Sequence, residues 1–128
     1  MDYTSDEIIA GILFFFPGDH YLTTNRMEIH KTLFKLREKG NYFLLEPFSF
    51  STKYISPIST ELENALWRLS LARIISLYDP EFPKFEIRPV ARKYIEKKIL
   101  YKFTREEQAQ LKLIARELAK ECGEKVQV

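Results

Sequence analysis

The sequence predicts a mainly α domain of about five helices, with a small β-hairpin inside a two- or three-stranded sheet. Three observations predict it. Five segments carry helix-start signals or helical apolar spacing. One segment, IISLY–DPEFPK–FEIR after Arg73, switches to β-branched and aromatic runs around a proline-stiffened turn. The composition, 45% hydrophobic and 30% charged over 128 residues, suits one core, so residues 1–128 read as a single domain with 88–128 as a C-terminal helical extension.

The elements follow in order. Thr4 with Glu7 has capping-box spacing before the apolar run Ile8–Phe16, and Pro17-Gly18 stops it. Asn25 with Glu28 repeats the signal before RMEIHKTLFKLREK, where Ile29, Leu33 and Leu36 form one apolar edge with Phe34 beside it. Gly40 follows as the expected C′ residue. The stretch NYFLLEPFSFSTKY reads as extended, with Pro47 interrupting and a short strand at Phe43–Leu45. A third helix is capped by Ser56, or by Thr60 with Glu63, with Pro57 in its first turn. Its inward positions are Ile58, Leu62, Ala65, Leu66 and Leu69. After the strand–turn–strand, Pro89 opens the fourth helix, PVARKYIEKKILY, whose apolar edge is Ala91, Tyr94, Ile95 and Ile99. Thr104 with Glu107 caps the fifth, with Leu111, Ile114, Ala115, Leu118 and Cys122 as its stripe and Gly123 at its end.

Helix, helix, short strand, helix and two-stranded ribbon is the order of a winged-helix-like fold. The segment from Met27 to Ala119 also resembles the Panacea and phage-associated winged-helix families. The residues that carry this are LFKL (Leu33–Leu36) and YISPISTELENALWRLSLARII, although the Gly-Pro usual before the aromatic-Ser pair is missing. The resemblance implies an antitoxin or adaptor role, with contacts to protein as well as nucleic acid.

Charge is unevenly spread. Residues 1–83 carry 8 Lys and Arg against 11 Asp and Glu, whereas residues 84–105 carry 8 against 2. Such a block is the footprint of polyanion binding, or else a solvated basic face. Lys84 and Arg88 fall on the expected wing; Arg92, Lys93 and Lys97 fall on the outer face of the fourth helix. Together they predict sequence-unspecific contacts to a DNA backbone, as in a transcriptional regulator. Glu96 is placed to pair with Arg92.

The third helix is a poor DNA reader. At about 100° per residue, Thr60, Asn64, Trp67 and Leu71 line the face opposite its core. That face holds no cation, and Glu61 and Glu63 occupy the first turns, where phosphates would lie. The connection from Gly40 to Pro57 is also too long for the tight turn of a helix-turn-helix. Asn64, Trp67 and Leu71 are then either covered by the same chain, through the Phe48–Phe50 loop or the fifth helix, or a partner-binding stripe. The alternative function is therefore a protein-interaction adaptor or antitoxin-like module without DNA binding, or a homodimer, in which the last helix is a second pairing element.

Catalysis is not expected. The four glycines form no P-loop or dinucleotide fingerprint. His20, read in a turn, and His30, on a helix, lack metal-ligand spacing even with Asp19 and Glu28 nearby, so no metal or cofactor is expected. The lone Cys122 falls on an apolar stripe and excludes an internal disulfide. One thiol suits a reducing cytoplasm. The longest apolar run spans nine residues, against about 20 for a membrane span, and its flank carries Asp2, Asp6 and Glu7 and no cation, so no membrane partner is expected.

Overall fold

The computed structural model describes residues 3–17, 20–23, 25–53, 55–72, 75–77, 84–87 and 89–125. These form helices α1 (Ser5–Phe14), α2 (Arg26–Glu38), α3 (Thr60–Leu71), α4 (Pro89–Lys98) and α5 (Arg105–Cys122). Strands β1 (His20–Thr23), β2 (Ile75–Leu77), β3 (Lys84–Ile87) and β4 (Gly123–Lys125) complete them, with 3₁₀ turns at Phe43–Leu45 and Leu100–Lys102.

Helix α1 has no polar face after its first turn: Ile8, Ile9, Ala10, Gly11, Ile12 and Leu13 are all buried. A helix apolar all round must be enclosed, and α3, α4 and α5 enclose this one. Gly11 faces α5, where a β-carbon would lie 2.8 Å from Leu111 Cδ1. Leu33 and Leu36 of α2, Leu62 and Leu66 of α3, Ile95 of α4 and Ile114 and Leu118 of α5 join the same core.

The starts of α1 and α5 are locked to each other. Glu7 and Glu107 each complete a capping box, with Thr4 and Thr104 respectively. The second carboxylate oxygen of each then serves the other helix: Lys102 Nζ donates to Glu7, and the Tyr3 hydroxyl donates to Glu107. The Tyr3 ring stacks on Phe103, centroids 4.4 Å apart. Burial, then the hydrogen bond to Glu107 and its charge, push the Tyr3 phenol up to about 12.

The sheet corrects the expected fold class. The expected antiparallel pair is present as β2 and β3, but among the described residues β1 and β4 extend it to four strands in the order β2-β3-β1-β4, which overturns the two- or three-stranded sheet of the winged-helix-like reading. Leu77 pairs with Phe85, Leu22 with Phe85 from the other side, and Leu22 with Gly123. His20 opens β1 opposite Lys125 instead of lying in a turn, and Gly123 both ends α5 and begins β4. Strands of three or four residues are too short to show period-two alternation.

The strand expected at Phe43–Leu45 is a 3₁₀ turn. Leu44 and Leu45 are both buried, which neighbouring residues of a one-faced strand cannot be. Ile58 precedes α3, bridges to Ser51 and stays 39% exposed, outside the expected core. Gly40 ends α2 with φ +76°, the left-handed conformation expected at that position. The tip of the expected turn, Asp79, Pro80 and Pro83, and the helix stop at Gly18 lie outside the described residues.

Two outcomes follow. Gly11→Val crowds the buried Leu111 side chain and lowers the unfolding free energy by about 1–3 kcal/mol, read by guanidinium melts. Tyr3→Phe costs about 1 kcal/mol at pH 8. Because the folded phenol titrates above the unfolded one, its contribution is intact below about pH 10 and vanishes as pH rises through 12, so melts of the two proteins converge across that window.

Candidate functional site

Helix α3 is held at both ends. Its N-cap is Ser59, whose Oγ accepts from the Leu62 amide at 3.2 Å. Ser59 is fully buried, and its own amide donates to His30 Nδ1 at 3.0 Å. With Nδ1 accepting, a neutral His30 carries its proton on Nε2, which lies 2.8 Å from Glu63 Oε1. Glu63 also takes Arg26 Nη1 at 3.2 Å. Glu61 accepts from the Ser49 amide at 2.7 Å and from Ser59 Oγ at 3.3 Å. Farther along, Arg68 grips Asp6 of α1 through two bonds of 2.6 and 2.9 Å, a hydrogen-bonded pairing that raises the guanidinium pKa further. The two glutamates that weigh against groove reading are thus structural ligands of the helix start.

Beside these anchors the outer face is open. Asn64, Trp67 and Leu71 are exposed on one side of α3, Trp67 at 58% and Leu71 at 64%. Neither the Phe48–Phe50 loop nor α5 covers them: Phe48 is buried in the core and Phe50 packs edge-on against Phe34, centroids 5.5 Å apart. Two large apolar side chains one turn apart, on a helix with fixed ends, form a rigid apolar stripe.

The basic residues divide. Arg92 is not free for a ligand; its Nη2 donates to the Phe14 carbonyl at 3.1 Å, and its guanidinium lies 4.6 Å from the Phe14 ring centre. It thus satisfies the negative end of α1, in place of the expected pairing with Glu96. Lys93 and Lys97 are exposed four residues apart on the outer face of α4, and among the described residues no ion pair joins either to a carboxylate. Lys84 lies in β3 opposite Thr23. Arg88 lies outside the described residues. The structure therefore brings Lys93 and Lys97 together, and gives Arg92 to the fold.

Two features were missed in the sequence. Tyr94, assigned to the inner edge of α4, is 54% exposed, and Tyr101 beyond it is 71% exposed. His30 is 2% exposed and ties α2 to α3; its place next to Ile29, on the apolar edge of α2, was the available signal. Cys122 is buried, its Sγ 3.1 Å from Thr32 Oγ and donating to the Glu28 carbonyl at 3.3 Å, and burial pushes its thiol pKa up. Among the described residues no cluster of three His, Cys, Asp or Glu is arranged to hold a metal, and no helix is long and apolar enough to cross a membrane.

Comparison with family models, with curated proteins and with solved structures finds no match to this chain.

His30→Ala leaves the buried Ser59 amide without an acceptor. It is expected to cost about 2 kcal/mol in a chemical melt, while far-UV circular dichroism before the transition stays near that of the parent protein.

Proposed function

We propose that this chain is a non-catalytic protein-interaction module whose docking face is the outer side of α3. The observation that carries the reading is the joint exposure of Trp67 and Leu71, 58% and 64%, on a helix whose ends are anchored. Tryptophan dominates protein interfaces because it removes a large apolar area from water and keeps a polar N–H for the rim. A rigid helix loses little conformational freedom on docking, so more of that burial appears as affinity. Asn64, one turn before Trp67, supplies an amide for orientation. An adaptor role of this kind is what the sequence resemblance of the Met27–Ala119 segment to the Panacea families implies.

A second reading is favoured by a separate observation. Lys93 and Lys97 project from α4 without carboxylate partners among the described residues, which suits electrostatic contact with a nucleic-acid backbone, as in a transcriptional regulator. Lys84 and Arg88 belong to this reading only as members of the same basic block of sequence, residues 84–105.

The test of the first reading is Trp67→Ala. The substitution is expected to cost about 1 kcal/mol, against roughly 3–5 for a buried tryptophan. A photo-reactive residue at Leu71 should crosslink in cells to a discrete protein, either a second copy or another chain, and Trp67→Ala should abolish that product. Crosslinking that is absent, or indifferent to Trp67, would defeat the docking reading.

A further inference from the structure

The surface of α4 and the 3₁₀ turn after it combines charge with flat aromatic rings. Lys93, Lys97 and Lys98 are exposed, and Tyr94 and Tyr101 stand among them at 54% and 71%. Tyr94 lies on α4 and Tyr101 in the 3₁₀ turn that follows it. Tyr94 precedes Lys97 and Lys98 by three and four residues on α4, so it neighbours both on the helix surface, and Glu7 of α1 holds the Lys102 ammonium next to Tyr101 in the turn. Exposed rings and exposed lysines therefore share α4 and the turn that follows it.

The chemistry narrows the ligand. Free lysines alone accept any polyanion. Exposed rings beside them suit a polyanion that also offers flat π faces. In a duplex those faces are already stacked on one another; in a single strand they are available. An anionic lipid surface would need an apolar helix face to insert. The apolar side of α4, Ala91 and Ile95, is turned into the protein's own interior, and outward it leaves a single aliphatic residue, Val90.

We propose that α4 and the turn at Leu100–Lys102 bind a single strand of nucleic acid, with bases stacked on Tyr94 and Tyr101 and phosphates against Lys93, Lys97 and Lys98. This deepens the second functional reading above and rests on it.

Fluorescence anisotropy at low salt decides it, with a labelled thymidine strand of about 15 nucleotides and a duplex of equal length as probes. The parent protein is expected to bind the strand more tightly than the duplex. Tyr94→Leu/Tyr101→Leu should weaken strand binding about tenfold or more and leave duplex binding unchanged, since stacking is worth roughly 1–3 kcal/mol per base. Lys93→Gln/Lys97→Gln should weaken both and flatten the salt dependence by about one to two units. Both tyrosines are largely exposed, so circular dichroism should show the folds retained. Equal affinity for strand and duplex with no effect of the tyrosine pair would overturn the stacking proposal but leave backbone binding intact. Retention of neither probe would remove both. Binding only to vesicles containing phosphatidylserine would overturn it in favour of a membrane surface.

Discussion

Everything in this fold answers to one constraint, the enclosure of α1. Six consecutive residues of that helix are buried, and no side of it can be left to water without exposing isoleucine or leucine. The helices that surround it are accordingly amphipathic, and each gives its apolar edge to the same interior. Glycine at position 11 is part of that solution, because the Leu111 side chain of α5 fills the space that a β-carbon would take. The reciprocal lock at the helix starts serves the same end. Glu7 and Glu107 each cap their own helix and hold a residue from the other's approach, so neither start can fray alone.

The anchoring of α3 gives local residues double duty. Glu63 holds His30 and Arg26, Glu61 holds Ser49 and Ser59, and Arg68 reaches α1. Charged residues that an electrostatic reading would assign to a ligand are absorbed by the scaffold. Arg92 is the same case on α4: a cation on the outer face, spent on the carbonyl end of α1. What is left over, after the fold has taken what it needs, is an apolar stripe on one helix and a lysine–tyrosine surface on another. Those leftovers are the functional candidates, since nothing in the packing requires them.

Much of the helical layout was legible in the sequence because helices announce themselves locally. The Thr4–Glu7 and Thr104–Glu107 boxes, and Gly40 at the end of α2, act within a few residues of their own position. The sheet was misread because β1 and β4 are made by pairing between distant segments, and their sequences, HYLT and GEK, carry no alternation of their own. Ser59 does not stand out in the sequence as the cap of α3, because Ser56 and Thr60 offer equivalent hydroxyls and only the burial of Ser59 against His30 selects between them. In the same way, periodicity places Trp67 on the outer face, but whether anything covers it depends on where the Phe48–Phe50 segment travels. Tyr94 sits at the border of the apolar edge, where a rotation of a few tens of degrees decides between core and water, so periodicity alone does not place it.

The position of β1 has a consequence for how the chain comes to be folded. Its neighbours are β3, from the middle of the sequence, and β4, which follows α5 directly. The most apolar helix likewise needs α5 to cover it. During synthesis the amino-terminal segment therefore emerges long before its covering exists, with one strand edge open and a greasy helix unshielded. A ribosome-bound nascent chain halted short of α5 should be a strong client for chaperones that recognise apolar segments, and release from them should coincide with the arrival of that last helix.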